Sequence, residues 1–172
     1  RPPPSIEGAW QRAEIVYESG PEAGRHTVDV QPSVYVFART HYGVTAVNGF
    51  APRPYLREQP TIEEEGRAYA PLESASGTYS NADGRLALTS LAAKDPAGML
   101  GGATSDYEVS WVGDDLWLSN NDPERGSVRT RFARLAEDET KVTPESQKLR
   151  GVWRRAEMIV GSGLDAGTHV AD

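Results

Sequence analysis

GAWQRAEIVYE, at residues 8–18, alternates between two sets of side chains along its length. A period of two is typical of a β-strand, because successive side chains point to opposite faces of the sheet. The turn-forming residues 19–24 (SGPEAG) end this strand. If the alternation continues without a break, one face of the strand carries Trp10, Arg12, Glu14 and Val16.

The same segment occurs a second time near the end of the chain. Residues 6–29 align without a gap on residues 149–172, with 11 of 24 positions identical and an offset of 143 residues. Solenoid and propeller repeats are far shorter, at about 20–50 residues, so the repeating unit is a whole domain. The sequence therefore predicts one complete domain and the start of a second copy.

Further segments predict β-strands for most of residues 6–135. Residues that favour strands are dense at 33–39, 42–47, 77–80, 85–91, 106–112, 116–119 and 127–135. Thr61 suits the N-cap of one short helix that runs to about Leu72, with glutamates 63–65 in its first turn. About eight antiparallel strands and one helix are typical of an all-β barrel or sandwich.

The 172 residues divide into four parts by composition. Residues 1–5 (RPPPS) are proline-rich and are interpreted as a processed end, a linker or a cut from a longer chain. Residues 6–135 are the predicted barrel domain, and residues 136–148 are a polar linker without apolar periodicity. Residues 149–172 are the first strand and turn of the second repeat.

The overall composition argues against several classes of protein. The 18 lysine and arginine residues against 25 aspartate and glutamate residues give a net charge of −7, so we expect neither nucleic acid nor an anionic membrane surface as a partner. No apolar run approaches the roughly 20 residues of a membrane-spanning helix, so we expect no membrane span. The chain has no cysteine, which excludes disulfide bonds and a cysteine nucleophile. We expect an extracellular or periplasmic location.

The motif Gly8-Ala9-Trp10, repeated as Gly151-Val152-Trp153, resembles the Gly-x-Trp signature of the lipocalins and other calycins. The ordered string GxW, PSVYVF, HYGVTAVN, APRP, SGTY, AKDPAGM, WVGDDLWLS and TRFARL is similar to bacterial lipocalin-like domains of unassigned function. This resemblance covers about residues 6–135 and implies an eight-stranded, up-and-down antiparallel barrel. It also implies that Arg134 of the last strand crosses the ring of Trp10 and closes one end of the barrel.

The resemblance further implies which side chains point into the barrel lumen. The lumen candidates are Trp10, Arg12, Glu14, Val16 and Phe132. A buried charge is costly unless it is paired, so we expect Arg12 and Glu14 to satisfy each other or a nearby group. Three interpretations of the pair are open: an internal ion pair that fixes strand register, a polar anchor for a ligand, or the acid and base of an isomerase or cyclase.

No other motif indicates catalysis or a metal site. The three histidines, His26, His41 and His169, are not surrounded by carboxylates at the spacing of metal ligands. Residues 120–124 (NNDPE) lack the bidentate glutamate of a calcium loop, and the chain has neither a nucleophile elbow nor a phosphate-binding loop. We therefore expect no metal, no cofactor and no enzymatic activity.

Two classes of function remain beside the isomerase or cyclase alternative. In the first, the barrel is a structural module of an extracellular tandem array or strand-linked filament, and its partners are copies of itself. Residues 149–172 then join a barrel, through contacts of Gly151, Trp153, Arg155, Glu157, Met158 and Ile159. In the second, the barrel carries a small apolar ligand. A filled lumen favours the first class, and an open cavity of roughly several hundred cubic ångströms favours the second.

Overall fold

The computed structural model describes residues 4–28, 30–100, 104–123, 126–136 and 143–148, and the backbone of 157–159 and 169–171. The chain divides into two compact units, Arg1–Glu137 and Asp138–Asp172. The first unit contains a β-barrel. Within its described residues, the second contains a short helix, α2 (Pro144–Lys148), and a two-stranded hairpin. None of the helices in the described part of the chain is long and apolar enough to cross a membrane.

Eight antiparallel strands close into the barrel. The strands of the first unit are β1 (Gly8–Tyr17), β2 (His26–Thr27), β3 (Ser33–Ala38), β4 (His41–Val47), β5 (Leu72–Ala82), β6 (Arg85–Ala93), β7 (Thr104–Val112), β8 (Asp115–Asp122) and β9 (Gly126–Arg134). The two-residue β2 only pairs with the end of β1. The other eight pair in order, and β9 pairs with β1 to close the barrel. The predicted eight-stranded antiparallel barrel is confirmed.

Tight turns and long connections lie at opposite ends of the barrel. Two-residue turns at 39–40, 83–84 and 113–114 join β3 to β4, β5 to β6, and β7 to β8. At Asp83 and Gly84 both φ angles are positive, at 52° and 72°, which is the geometry of a type I′ hairpin turn. The opposite end carries the connection with helix α1 (Ile62–Tyr69) and a 3₁₀ turn at Pro96–Met99. These two ends are named the turn end and the loop end.

Helix α1 begins at its predicted cap and ends before its predicted last residue. The Thr61 hydroxyl accepts a hydrogen bond from the Glu64 amide at 3.2 Å, and the Glu64 carboxylate accepts one from the Thr61 amide at 2.7 Å. The helix ends at Tyr69 because the chain turns into β5, where Leu72 pairs with Val47 of β4. Strand β5 therefore starts at Leu72, earlier than the predicted strand at Gly77.

The apolar core fills the turn end of the barrel and continues along the lumen wall towards the loop end. Its buried members are Ile6, Trp10, Phe37, Tyr42, Val44, Ala46, Leu86, Leu88, Leu116, Leu118 and Phe132. The rings of Trp10 and Trp111 lie 5.8 Å apart, and those of Phe37 and Tyr79 meet edge to face at 5.2 Å. Burying a large apolar side chain contributes roughly 1.5–3 kcal/mol, so this end supplies much of the barrel's stability.

The hairpin of the second unit repeats the strand register of the first. Strands β10 (Glu157–Ile159) and β11 (His169–Ala171) pair Met158 with Val170 and Ile159 with His169. The matching pairs of β1 and β2 are Ile15 with Thr27 and Val16 with His26. Each pair of β1 and β2 becomes a pair of β10 and β11 when 143 is added to both numbers. Of the predicted assembly residues, Gly151, Trp153 and Arg155 lie outside the described residues, and Glu157, Met158 and Ile159 form β10.

Candidate functional site

Trp10 and Arg134 close the turn end of the barrel. The guanidinium carbon of Arg134 lies 4.1 Å from the centroid of the Trp10 ring. Its two Nη atoms donate hydrogen bonds to the carbonyls of Glu7 and Ser5, both at 2.6 Å. Trp10 is fully buried, and its Nε1 donates to the carbonyl of Ile6 at 2.8 Å. The segment before β1 is thus held across this end, which leaves the loop end as the open one.

A bulge at Ala13 changes which side chains of β1 face the lumen. Arg12 lies opposite Phe132 of β9, but Glu14 lies opposite Arg131, so Ala13 is an extra residue without a partner on β9. Residues that lie opposite each other in a ladder share a face of the sheet. Arg12 therefore points inward with Phe132, whereas Glu14 points outward with Arg131.

Because of this bulge, the unbroken alternation that the sequence predicts for β1 is wrong beyond Arg12. Ile15 and Tyr17 line the loop end of the lumen, where Glu14 and Val16 were expected. Val16 shares the outer face with Glu14. Of the five predicted lumen residues, Trp10, Arg12 and Phe132 therefore point inward, and Glu14 and Val16 do not.

Glu14 takes part in an ion-pair cluster on the outer surface. Its carboxylate accepts a hydrogen bond from Arg131 Nε at 2.7 Å and lies 2.6 Å from His26 Nε2. Arg131 also bonds the carboxylate of Asp115 at 3.1 Å. The hydrogen bond from Arg131, and next that from His26, hold the pKa of Glu14 below its ordinary value of 4.5. Arg12 and Glu14 do not pair with each other, because the bulge places the two side chains on opposite faces. Each instead bonds nearby groups, which is the other outcome expected from the sequence.

Arg12 lies in the lumen and is bound to neutral acceptors. Its Nη1 donates to Asn48 Oδ1 at 2.9 Å, and its Nη2 donates to the carbonyl of Val47 at 2.6 Å. The backbone amide of Arg12 donates to Ser33 Oγ at 2.9 Å. Asn48 Nδ2 donates in turn to Glu73 Oε2 at 3.2 Å. The guanidinium therefore ties β1 to the end of β4, and Asn48 links it to Glu73 of β5.

The loop end of the lumen is an open cavity of about 620 Å³. Its barrel wall includes Tyr35, Tyr42, Val44, Glu73, Leu88 and Tyr107. A deeper chamber of about 140 Å³ shares four of these residues and also contacts Arg12 and Phe132. Pockets that hold small molecules measure about 300–1,000 Å³ and combine apolar walls with a few polar groups. The cavity falls within this range of volumes, and its lining mixes apolar and tyrosine side chains with polar ones such as Asn48, Glu73 and Ser90.

Three tyrosines give this cavity an aromatic wall. The hydroxyl of Tyr42 lies 2.8 Å from Ser90 Oγ. Burial, and next the charge of Glu73, raise the pKa of Tyr107 to about 12 and raise the pKa of Tyr35 further above its usual range. Both phenols therefore stay protonated and uncharged at physiological pH.

Lys94 fastens the chain after α1 to the rim of the cavity. Its Nζ donates hydrogen bonds to the carbonyls of Tyr69, Ala70 and Leu72, the latter two at 3.1 and 2.8 Å. The next residue, Asp95, accepts from the amide of Ala97 and so caps the 3₁₀ turn. Both charges therefore serve to hold the rim together.

The barrel wall also separates along a seam between β7 and β8 near the loop end. Pairing between β7 and β8 stops at Glu108 and Ser119, although both strands continue beyond these residues. A surface depression of about 460 Å³ lies at this seam and reaches Tyr107 and Asn120. These two side chains also line the deeper chamber.

Glu73, which lines both the cavity and the deeper chamber, is not among the candidate residues that the sequence indicates. Glu73 precedes the strand predicted at Gly77, so the sequence pattern does not place it in the barrel wall. The alternation of Glu73, Ala75, Gly77 and Tyr79 was the available signal for its inward orientation. Among the described residues, no three histidine or acidic side chains lie close enough together to hold a metal ion.

Comparisons with known proteins give no family for this chain. No protein-family model matches it, and no curated protein matches it. A crystal structure of an uncharacterized protein from Bacteroides eggerthii DSM 20697 is similar over 76% of this chain and 100% of its own chain. The two share 12% sequence identity, with a TM-score of 0.42.

Proposed function

We propose that the chain is a lipocalin-like barrel that binds a small, largely apolar ligand in the loop end of its lumen. The observation that carries this proposal is the open cavity of about 620 Å³. Protein interiors are close-packed, because empty space forfeits dispersion contacts. A barrel that served only as a structural unit would gain stability by filling this space.

The geometry of the closed end supports the lipocalin-like part of the proposal. Arg134 lies over Trp10 at the place that the resemblance implies. Catalysis by Arg12 and Glu14 has no comparable support, because Arg12 faces the lumen and Glu14 faces outward. The function proposed is therefore binding without chemistry.

The proposal is tested by titrating the chain with N-phenyl-1-naphthylamine, an uncharged apolar probe that fluoresces when it is bound. Ala75 lines the cavity, and Ser76, the next residue of β5, is exposed on the outer face. Ala75→Trp is expected to weaken probe binding at least about tenfold, because the indole occupies the ligand's space. Ser76→Trp is the matched control and should leave the dissociation constant within about twofold.

Two results would contradict lumen binding. One is the absence of saturable probe binding by the unmodified chain. The other is an equal loss of binding in both tryptophan variants, since this would place the probe outside the cavity. Circular dichroism of both variants verifies that the barrel is folded.

A second candidate function is favoured by the register shared between the two hairpins. We propose that residues 149–172 pair with a barrel in the way that β1 and β2 do, in a further copy of the domain or in a neighbouring chain. Met158 lies opposite Val170 as Ile15 lies opposite Thr27. β1 has ladders with both β3 and β9, so a copy of it needs similar partners to satisfy its backbone groups. This candidate is a module of a tandem array or strand-linked assembly.

A further inference from the structure

Glu73 is a carboxylate in the lumen that forms no direct ion pair with a cation of the described residues. It lines both the large cavity and the deeper chamber, and it accepts a hydrogen bond from Asn48 Nδ2 at 3.2 Å. The ion pairs formed among the described residues do not include it. A partly buried carboxylate without an ion pair forms its strongest hydrogen bonds with a donor that carries a positive charge.

The two cationic side chains that line the large cavity or the deeper chamber are held by other groups. Both Nη atoms of Arg12 donate to neutral oxygens of Asn48 and Val47, whereas its buried Nε has no hydrogen-bond partner among the described residues. Lys94 donates to three backbone carbonyls at the rim. Arg12 does not line the large cavity, and all three donors of the Lys94 ammonium are directed at carbonyls. An anionic head group in the large cavity would therefore meet Glu73 without a free ammonium to compensate it.

The wall around Glu73 favours a cation for a second reason. Tyr35, Tyr42 and Tyr107 line the same cavity, and Tyr35 and Tyr107 are close enough to Glu73 to sense its charge. Aromatic rings attract cations through their negative faces, and this attraction grows when water is excluded. A carboxylate bordered by neutral phenols is therefore suited to an ammonium group.

We propose that the ligand is an amphipathic amine whose ammonium group binds Glu73 beside Tyr35, Tyr42 and Tyr107, while its apolar chain fills the remaining cavity. This inference rests on the proposed binding function and names the chemical class of the ligand. It assigns the specificity to Glu73, since the apolar wall accepts any hydrocarbon of suitable size.

The test uses the full chain and three competitors with the same ten-carbon tail, namely decylammonium, decan-1-ol and decanoate. Each displaces bound N-phenyl-1-naphthylamine at pH 7, where the alkylamine is protonated. Decylammonium is expected to bind about tenfold more tightly than decan-1-ol, and decanoate more weakly than both. Glu73→Gln should abolish this preference for the amine, so that decylammonium and decan-1-ol displace the probe with affinities within about twofold of each other.

Glu58→Gln is the matched control, because Glu58 is exposed in a loop and does not line the cavity. It should retain the preference for decylammonium. If the probe binds but decan-1-ol or decanoate is the tightest competitor, the ammonium site is overturned and lumen binding stands. An unchanged preference for decylammonium in Glu73→Gln would have the same two consequences. Failure of the probe to bind would overturn lumen binding, and the ammonium site with it.

Discussion

At the level of single residues, the closed end of the barrel requires a glycine at position 8. Gly8 has a φ of +127°, a conformation that other residues rarely adopt. A Cβ atom at this position would lie 2.4 Å from Nη1 of Arg134. The glycine of the Gly-x-Trp motif therefore provides the space in which the arginine crosses Trp10.

Replacing Arg134 with alanine is expected to lower the free energy of unfolding by about 1–3 kcal/mol. The variant loses the stacking on Trp10 and two hydrogen bonds to the segment before β1. Urea denaturation followed by tryptophan fluorescence measures the change. Arg67→Ala is the control, because Arg67 is exposed on α1 and its contact with Glu63 spans 3.8 Å. Equal effects of the two substitutions would contradict a structural role of Arg134 at the closed end.

At the level of elements, the side chains of β1 alternate between the two faces of the sheet in one phase before Ala13 and in the opposite phase after it. The first part of the strand follows the predicted alternation, and the second part is shifted by the bulge at Ala13. The sequence Arg-Ala-Glu contains no glycine or other local signal of a bulge. The bulge depends on pairing with β9, more than 100 residues away, so the local pattern of β1 could not predict it.

The strands themselves could be predicted, because their signal is local. β-branched and aromatic residues and the turn at Asp83-Gly84 mark the barrel strands in the sequence. The cavity could not be predicted in the same way. Tyr35, Glu73 and Lys94 come together only when the sheet closes, and no short motif contains two of them.

Glu14 is expected to make the stability of the β1–β9 ladder depend on pH. Its pKa is lowered in the folded barrel, chiefly by the hydrogen bond from Arg131, so its contribution is present above pH 4.5 and is lost as the pH falls through the lower, folded-state pKa. Glu14→Gln should therefore be less stable than the unmodified chain at pH 7, by about 1 kcal/mol. At pH 3 the two should be closer in stability.

Urea denaturation of both chains at the two pH values measures this difference. Comparing two chains at one pH cancels the acid sensitivity of all other groups. Glu58→Gln, which removes an exposed carboxylate outside the described ion pairs, serves as the control. A difference that grows from pH 7 to pH 3 would show that the ion pair does not stabilise the ladder.

For the whole molecule, the barrel contains all of the strands that close it. The closing ladder joins β1 to β9, and both lie within residues 6–135. Deleting residues 144–172 is therefore expected to leave a folded barrel with an unchanged thermal transition. If these residues pair with another barrel, the full chain should form larger species and the truncated chain should be a monomer.

Static light scattering after size-exclusion chromatography distinguishes these outcomes. Met158→Pro is a full-length control, because proline at a paired position of β10 removes a ladder hydrogen bond. It should behave like the truncated chain. The same monomeric mass for the full and truncated chains would reject the assembly and leave ligand binding as the function proposed.

The separation of short turns from long connections also has a meaning for protein engineering. The closed end and the core tolerate little change, whereas insertions in surface loops are usually tolerated. The loops at the other end surround the cavity, so under the proposed binding function randomised sequences there would alter which molecules bind while the closed end stays unchanged. The barrel thus has the layout of an engineering scaffold, in which a constant closed end supports variable loops.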